Sequence, residues 1–296
     1  MQVKDVIQKT TQFFRDKGFD SPRLDTELLV ASALHWERMK LYLNYEYPLS
    51  EDELKTCREL VRRRASGEPV AYILGEKGFF KNSFKVTPEV LIPRPETESL
   101  VESALEWARV NAPAARIIDL GTGSGCIGLS LIAEMPEAHL LAVDVSPGAL
   151  GVAKENATLL GVDDRVKWHE GDAGAVSPAR VEAELGALAD IVVANPPYIA
   201  PNDPEVQASV RKFEPALALF SGVDGLDHIR SWVTAAGGIA RAGAFVMFEI
   251  GFDQGRTAKE IFESTGFFDR IEIVRDLAGH ERFIRAFRRA FGKESN

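Results

Sequence analysis

The sequence predicts an α/β protein in which a mostly parallel sheet is covered by helices on both faces, preceded by a small helical domain. Three observations carry this reading. From residue 116 onward, short β-branched and apolar runs alternate with helical stretches, as parallel strands joined by crossover helices require. Residues 1–75 show no strand pattern at all. A glycine-rich loop also follows the first strand directly and leads into a helix.

The chain has 296 residues, more than one compact core usually holds, so two domains are expected. With 45% hydrophobic and 27% charged residues it has the composition of an ordinary soluble globular protein. No apolar run approaches bilayer length, and the amphipathic, mixed-charge start "MQVKDVIQKTTQFFRDKG" lacks the core of a signal peptide. A cytoplasmic protein without membrane contact is therefore expected. Cys57 and Cys126 fall in different predicted domains, which argues against a disulfide, and two cysteines are too few for a cysteine metal site. The five histidines show no ligand-like spacing, so no metal is expected. A net charge of −9 argues against holding nucleic acid over a broad phosphate-binding surface, while leaving room for a local basic patch.

In chain order, helices are expected near residues 3–17, 23–35, 37–43 and 51–66. Ser21-Pro22 and Ser50 read as caps, the latter in capping-box spacing with Glu53. "GFFKNSFKV" alternates around Asn82-Ser83 like a hairpin, and "TPEVLIPRPETE" is a proline-rich connector. Pro95, followed by Glu96 and Glu98, fits the first turn of a helix running to about residue 110. "RIIDL", "HLLAVDV", "RVKWHEG", "DIVVA" and "AFVMFEI" are the predicted strands, and "RIEIV" and "RFIRAF" are two further β-like stretches. The expected division is a helical domain over 1–75, a hairpin and connector over 76–95, and the α/β domain over 96–296.

After "RIIDL" comes Asp119-Leu120-Gly121-Thr122-Gly123-Ser124-Gly125. Glycines there permit backbone angles closed to other residues and let a ligand approach the main chain at the carboxyl edge of the sheet. Gly123, Gly125 and Gly128 formally satisfy a dinucleotide G-x-G-x-x-G, but Gly123 comes two residues after the strand-closing position. Reading Gly121, Gly123 and Gly125 as the set gives the Asp-x-Gly-x-Gly-x-Gly of S-adenosylmethionine enzymes. Asp144 closes the second strand, where a carboxylate can accept both ribose hydroxyls of either cofactor. Cys126 reads as a packing residue of the helix, because no histidine is placed by sequence to activate it.

The fourth strand ends at Asn195-Pro196-Pro197-Tyr198, on the same carboxyl edge. An amide or ring-amino nitrogen is a poor nucleophile because its lone pair is delocalised. For it to attack a sulfonium methyl group, acceptors must hold its N–H bonds and aim the lone pair. The Asn195 side-chain oxygen and the Pro196 carbonyl are such acceptors; the prolines fix the backbone, and the Tyr198 ring offers a flat face. Positioning of this kind supplies about 7–11 kcal/mol of a barrier, so no strong general base is required.

These motifs, with "GEPVAYILGEKGFF", "VLIPRPETE" and "FEPALALFSGVDGLDHIR", resemble the HemK-type family of peptide chain release factor N5-glutamine methyltransferases. The likeness runs in register from about residue 21 to the end. The tetrapeptide alone is shared with adenine and cytosine amino-methyltransferases; its combination with Leu91 to Glu98 is far more specific. The resemblance implies a Rossmann-like class I S-adenosylmethionine-dependent methyltransferase domain with a mostly parallel seven-stranded sheet, behind a helical substrate-recognition domain. It implies cofactor contacts at Gly121, Thr122, Gly123, Ser124, Gly125, Asp144, Asp172, Ala173 and Asn195. Substrate contacts are implied at Asn195, Pro196, Pro197 and Tyr198, with Asn195, Pro196 and Tyr198 as the catalytic residues. In several relatives an aromatic residue follows the aspartate after strand three and lies against the adenine; here "GDAGA" puts Ala173 there. The implied reaction consumes S-adenosyl-L-methionine, releases S-adenosyl-L-homocysteine and methylates the glutamine of a Gly-Gly-Gln loop in release factors, by a monomer that makes no sequence-specific nucleic-acid contact.

Arg94 and Glu96 are candidates for the pocket border, though a connector and a helix start also explain them. Arg58, Arg62, Arg63 and Arg64 form a basic cluster, read either as a solvated face or as a contact for an acidic protein surface or RNA. Ribosomal-protein glutamine methylation and base amino-methylation share the catalytic motif and stay open at this point. A nicotinamide-dependent oxidoreductase leaves the tetrapeptide unexplained.

Overall fold

The computed structural model describes residues 1–290, which group into two compact units. One comprises Met1–Glu76 and Ala208–Phe213, the other Lys77–Gln207 and the chain from Glu214 onward.

The first unit is helical: α1 (Val3–Asp16), α2 (Pro22–Ala33), α3 (Arg38–Leu43), α4 (Glu51–Ala65) and α5 (Val70–Leu74). The apolar faces of α1, α2 and α4 close over Val3, Ile7, Val30, Leu41 and Leu54. The capping box at α4 forms as expected, with the Glu53 amide donating to Ser50 Oγ at 3.3 Å and the Ser50 amide to Glu53 Oε2 at 2.7 Å. Ser21 precedes α2 without a side-chain cap bond, and Pro22 begins the helix. Helix α5 carried no expectation, because five residues between Pro69 and a left-handed Gly75 are too short to show a period.

The second unit begins with the hairpin β1 (Glu76–Phe79) and β2 (Asn82–Lys85). Its turn lies at Phe80-Lys81, two residues before the expected position, with Phe80 at φ 55°. Core burial of both Phe79 and Phe84 sets that register. A 3-10 turn over Pro95–Thr97 leads into α6 (Glu98–Asn111). Then follow β3 (Arg116–Leu120), α7 (Cys126–Glu134), β4 (His139–Asp144), α8 (Pro147–Leu160), β5 (Val166–Glu170), α9 (Pro178–Leu185) and β6 (Ala189–Ala194). After α10 (Ala208–Phe213), which belongs to the first unit, come α11 (Ala216–Leu219), α12 (Asp227–Ile239), β7 (Ala240–Glu249), α13 (Gly255–Ser264), β8 (Phe268–Arg275) and β9 (Glu281–Arg288).

The seven strands lie in the order β5-β4-β3-β6-β7-β9-β8. Strands β3 to β7 are parallel, and β9 runs antiparallel to both β7 and β8. A dinucleotide Rossmann sheet runs 3-2-1-4-5-6 in parallel, so the closing antiparallel hairpin sets this sheet apart and fits the methyltransferase type. Side chains of β6 alternate between two cores: Ile191 and Val193 face one, Val192 and Ala194 the other. Burial on both faces explains why the parallel strands read as continuous apolar runs. Among the described residues, no helix is long and apolar enough to cross a membrane.

Candidate active site

The chain runs outward from β3 through β4 to β5, then returns to β6 on the other side of β3. That reversal opens a crevice at the carboxyl ends of β3 and β6. The register brings the predicted residues to it. Leu120 pairs with Val143 and with Ala194, and Ala194 with Phe248, so Gly121, Asp144, Asn195 and Glu249 leave the sheet side by side.

A cavity of about 610 Å³ occupies this edge. Gly121, Thr122, Gly123 and Ser124 form one wall, joined by Asp144, Asp172 and Ala173. Asn195 and Pro197 line it from the β6 side. Gly125, Pro196 and Tyr198 do not line it. Gly125 is the left-handed residue that starts α7, at φ 83°, and a Cβ there would stand 2.5 Å from the Leu129 side chain.

The glycine loop is closely packed. Gly121 has φ 71°, and a Cβ would stand 2.5 Å from the Trp232 ring of α12. The Gly123 amide donates to Asp144 Oδ2 and the Ser146 amide to Asp144 Oδ1, both at 2.9 Å. Each carboxylate oxygen thus holds one N–H and keeps a lone pair for a further donor. Burial raises the Asp144 pKa, and the amides oppose that shift. Asp119, fully buried under the loop, accepts from Thr122 Oγ1 at 2.8 Å and the Gly128 amide at 3.0 Å. Burial pushes its carboxyl up to about 6. Burial likewise raises the Cys126 thiol to about 12, which leaves it protonated and unreactive at the cavity wall. Asp172 caps the short turn at Ala173–Ala175 by accepting from the Gly174 amide at 2.8 Å. Ala173 is buried in the same apolar cluster as Trp232.

The two acceptors predicted in the tetrapeptide are free. No described residue donates a hydrogen bond to the Asn195 side chain or to the Pro196 carbonyl. Tyr198 is the reverse, with its hydroxyl donating to Glu249 Oε1 at 3.1 Å and its carbonyl accepting from Gln254 Nε2 at 2.9 Å.

Several site residues carried no sequence expectation. Glu249 is a buried carboxylate ending an otherwise apolar strand, a visible oddity in "AFVMFEI". Asn156 of α8 ties the hairpin to the glycine loop, donating to the Lys85 carbonyl at 3.0 Å and the Ser124 carbonyl at 2.8 Å. Arg94, by contrast, was a candidate for the pocket border and does line the cavity; its pairing with Glu214 at 2.7 Å joins two segments distant along the chain. Trp232 has no signal in a single sequence.

Three of the four arginines in the α4 cluster are paired within their own unit, and Arg58 is exposed. Arg62 pairs with Glu59, Arg63 with Glu68, and Arg64 with Asp25, stacking also over Phe19 at 4.0 Å.

Residues 5–75 match the PrmC N-terminal domain, and residues 100–220 the methyltransferase small domain. The sequence is 42% identical over 283 residues to the release factor glutamine methyltransferase of Geobacter sulfurreducens, covering 95% of each chain. It is 36% identical over 287 residues to that of Rhodopirellula baltica, again covering 95% of each. Among solved structures, the hMettl16 catalytic domain is similar with a TM-score of 0.54 at 16% identity, covering 71% of this chain and 76% of that one, a likeness of fold alone. Identity at this level along nearly the whole length, together with the sheet order and the carboxyl-edge motifs, shows that the chain belongs to the release factor glutamine methyltransferase family.

Proposed function

We propose that this protein transfers the methyl group of S-adenosylmethionine to the side-chain amide nitrogen of the glutamine in the Gly-Gly-Gln motif of a peptide chain release factor. The observation that carries the reading is the pair of free acceptors, Asn195 Oδ1 and the Pro196 carbonyl, beside the glycine-lined cavity.

The residues present fit the cofactor. The cavity has the size of a nucleoside-ligand site. The oriented Asp144 carboxylate suits two ribose hydroxyls, and at Gly123 the main chain is bare enough for close approach. Asp172 and Ala173 line the same cavity, and we assign them to the adenine end. When bound, S-adenosylmethionine supplies an electrophilic methyl group on a sulfonium sulfur. Asn195 and Pro196 hold the two N–H bonds of the substrate amide, which turns the nitrogen lone pair toward the cavity. The proline rings hold the backbone that carries the Pro196 carbonyl before the substrate arrives.

A primary amide alone offers too little to distinguish one glutamine from another, so selectivity belongs to surface outside the pocket. We assign it to the helical unit. Within it we assign the contact to α3, where Met39 is 64% and Leu43 82% exposed, since three of the four α4 arginines are already paired. Such a substrate places the reaction in the cytoplasm.

The test is to incubate the purified protein with labelled S-adenosylmethionine and intact release factor, then locate the label by tandem mass spectrometry. One methyl group on the Gly-Gly-Gln glutamine is expected. Label confined to a ribosomal protein or to nucleic acid would refute the assignment.

A further inference from the structure

We infer that Glu249 is a positioning residue that fixes the Asn195–Tyr198 tetrapeptide by binding the Tyr198 hydroxyl; this rests on the functional reading above. Glu249 ends β7, and the pairing of Ala194 with Phe248 places it beside Asn195. Its carboxylate is buried, in a place where an apolar side chain would suit the strand better. Both oxygens are engaged: Oε1 accepts from the Tyr198 hydroxyl at 3.1 Å and Oε2 from Thr97 Oγ1 at 2.5 Å. The positive charge of Arg282 offsets part of the burial cost. Thr97 itself lines the cavity, so the carboxylate joins the cavity wall to the tetrapeptide.

The other end of Tyr198 is held as firmly. Gln254 donates to the Tyr198 carbonyl at 2.9 Å while its own side-chain oxygen accepts from the Gly251 amide at 2.9 Å. Gly225, at φ 78°, lies so close that a Cβ would stand 2.3 Å from the same carbonyl. Tyr198 is therefore bound at its hydroxyl and its carbonyl, whereas Asn195 and Pro196 keep their acceptors free. The tyrosine anchors the tetrapeptide, and the preceding two residues meet the substrate. A stacking platform alone would have no use for the hydroxyl; an anchor depends on it.

The experiment is a double-mutant cycle on the full-length protein with Tyr198→Phe, Glu249→Gln and both together. The readouts are kcat and KM on intact release factor, with calorimetry of S-adenosylhomocysteine as the folding control. Each single change should lower kcat about tenfold, the factor one hydrogen bond to a charged group supports, with KM and cofactor affinity within about twofold. The double variant should be no slower than the slower single one. Wild-type kcat in Tyr198→Phe, or effects that multiply in the double variant, would overturn the inference. If Glu249→Gln does not fold, Tyr198→Phe decides alone, because it keeps the carboxylate and the ring. A wild-type protein that binds S-adenosylhomocysteine but leaves release factor unmethylated would instead sink the functional reading.

Discussion

Glu214 receives two donors from the connector that precedes the α/β domain: Arg94 Nη2 reaches Oε1 at 2.7 Å, and the Ile92 amide reaches Oε2 at 3.2 Å. The Glu214 side chain is only 2% exposed. The next residues, Pro215, Leu217 and Ala218, line the cavity, so this pair pins one cavity wall to another. Removing Arg94 leaves a buried carboxylate without its cation. Arg94→Ala should destabilise the protein by about 1–3 kcal/mol in urea unfolding, discounted for the partial exposure of the arginine. Glu214→Gln keeps one acceptor oxygen but sets an NH2 against the other donor, so it should destabilise the protein as well.

Asp144 offers the clearest test of the cofactor site. Asp144→Ala should weaken S-adenosylhomocysteine binding by about 1.5–3 kcal/mol, the worth of hydrogen bonds to a charged acceptor. Unchanged affinity in calorimetry would remove Asp144 from the site.

Asp119 predicts a pH dependence of stability. Burial raises its folded pKa to about 6, against an ordinary value of 3.8. The folded state therefore binds this proton more tightly than the unfolded state. The stabilisation is complete below about pH 4 and is lost as pH rises through about 6. Relative to Asp119→Asn, which cannot titrate, the wild type should lose on the order of 2–3 kcal/mol between about pH 4 and pH 7. Urea unfolding of both proteins at the two pH values checks this; a constant difference would contradict it.

The surface of α3 carries the proposed selectivity. Replacing Met39 and Leu43 by aspartate should lower kcat/KM on intact release factor about tenfold through KM, with cofactor affinity unchanged. Arg62→Ala, which removes a guanidinium already paired with Glu59, should change kcat/KM by less than about twofold.

Much of this architecture is legible in the sequence because parallel strands buried on both faces leave continuous apolar runs. Strand β3 falls where "RIIDL" places it, and Asn195 follows β6 as expected. The hairpin turn was misplaced because local alternation does not reveal which phenylalanines the core takes. The partners of the site were the least legible. Thr97 and Glu249 are 152 residues apart, and Arg94 and Glu214 are 120 apart. No local pattern links such pairs; only the parallel crossovers bring them to one edge. The pairing of Arg64 was hidden for the same reason, since its partner Asp25 lies 39 residues upstream.

Asn195→Ala is the most direct test of the central claim that the free acceptors at the end of β6 present the substrate amide. The measurement is single-turnover methyl transfer to intact release factor at saturating S-adenosylmethionine, paired with calorimetry of S-adenosylhomocysteine on the same preparation. Cofactor affinity near wild type with methyl transfer reduced at least about a hundredfold, as loss of an oriented catalytic contact implies, is the predicted result. Wild-type transfer by the variant would contradict the account and leave the tetrapeptide as a strand-ending turn.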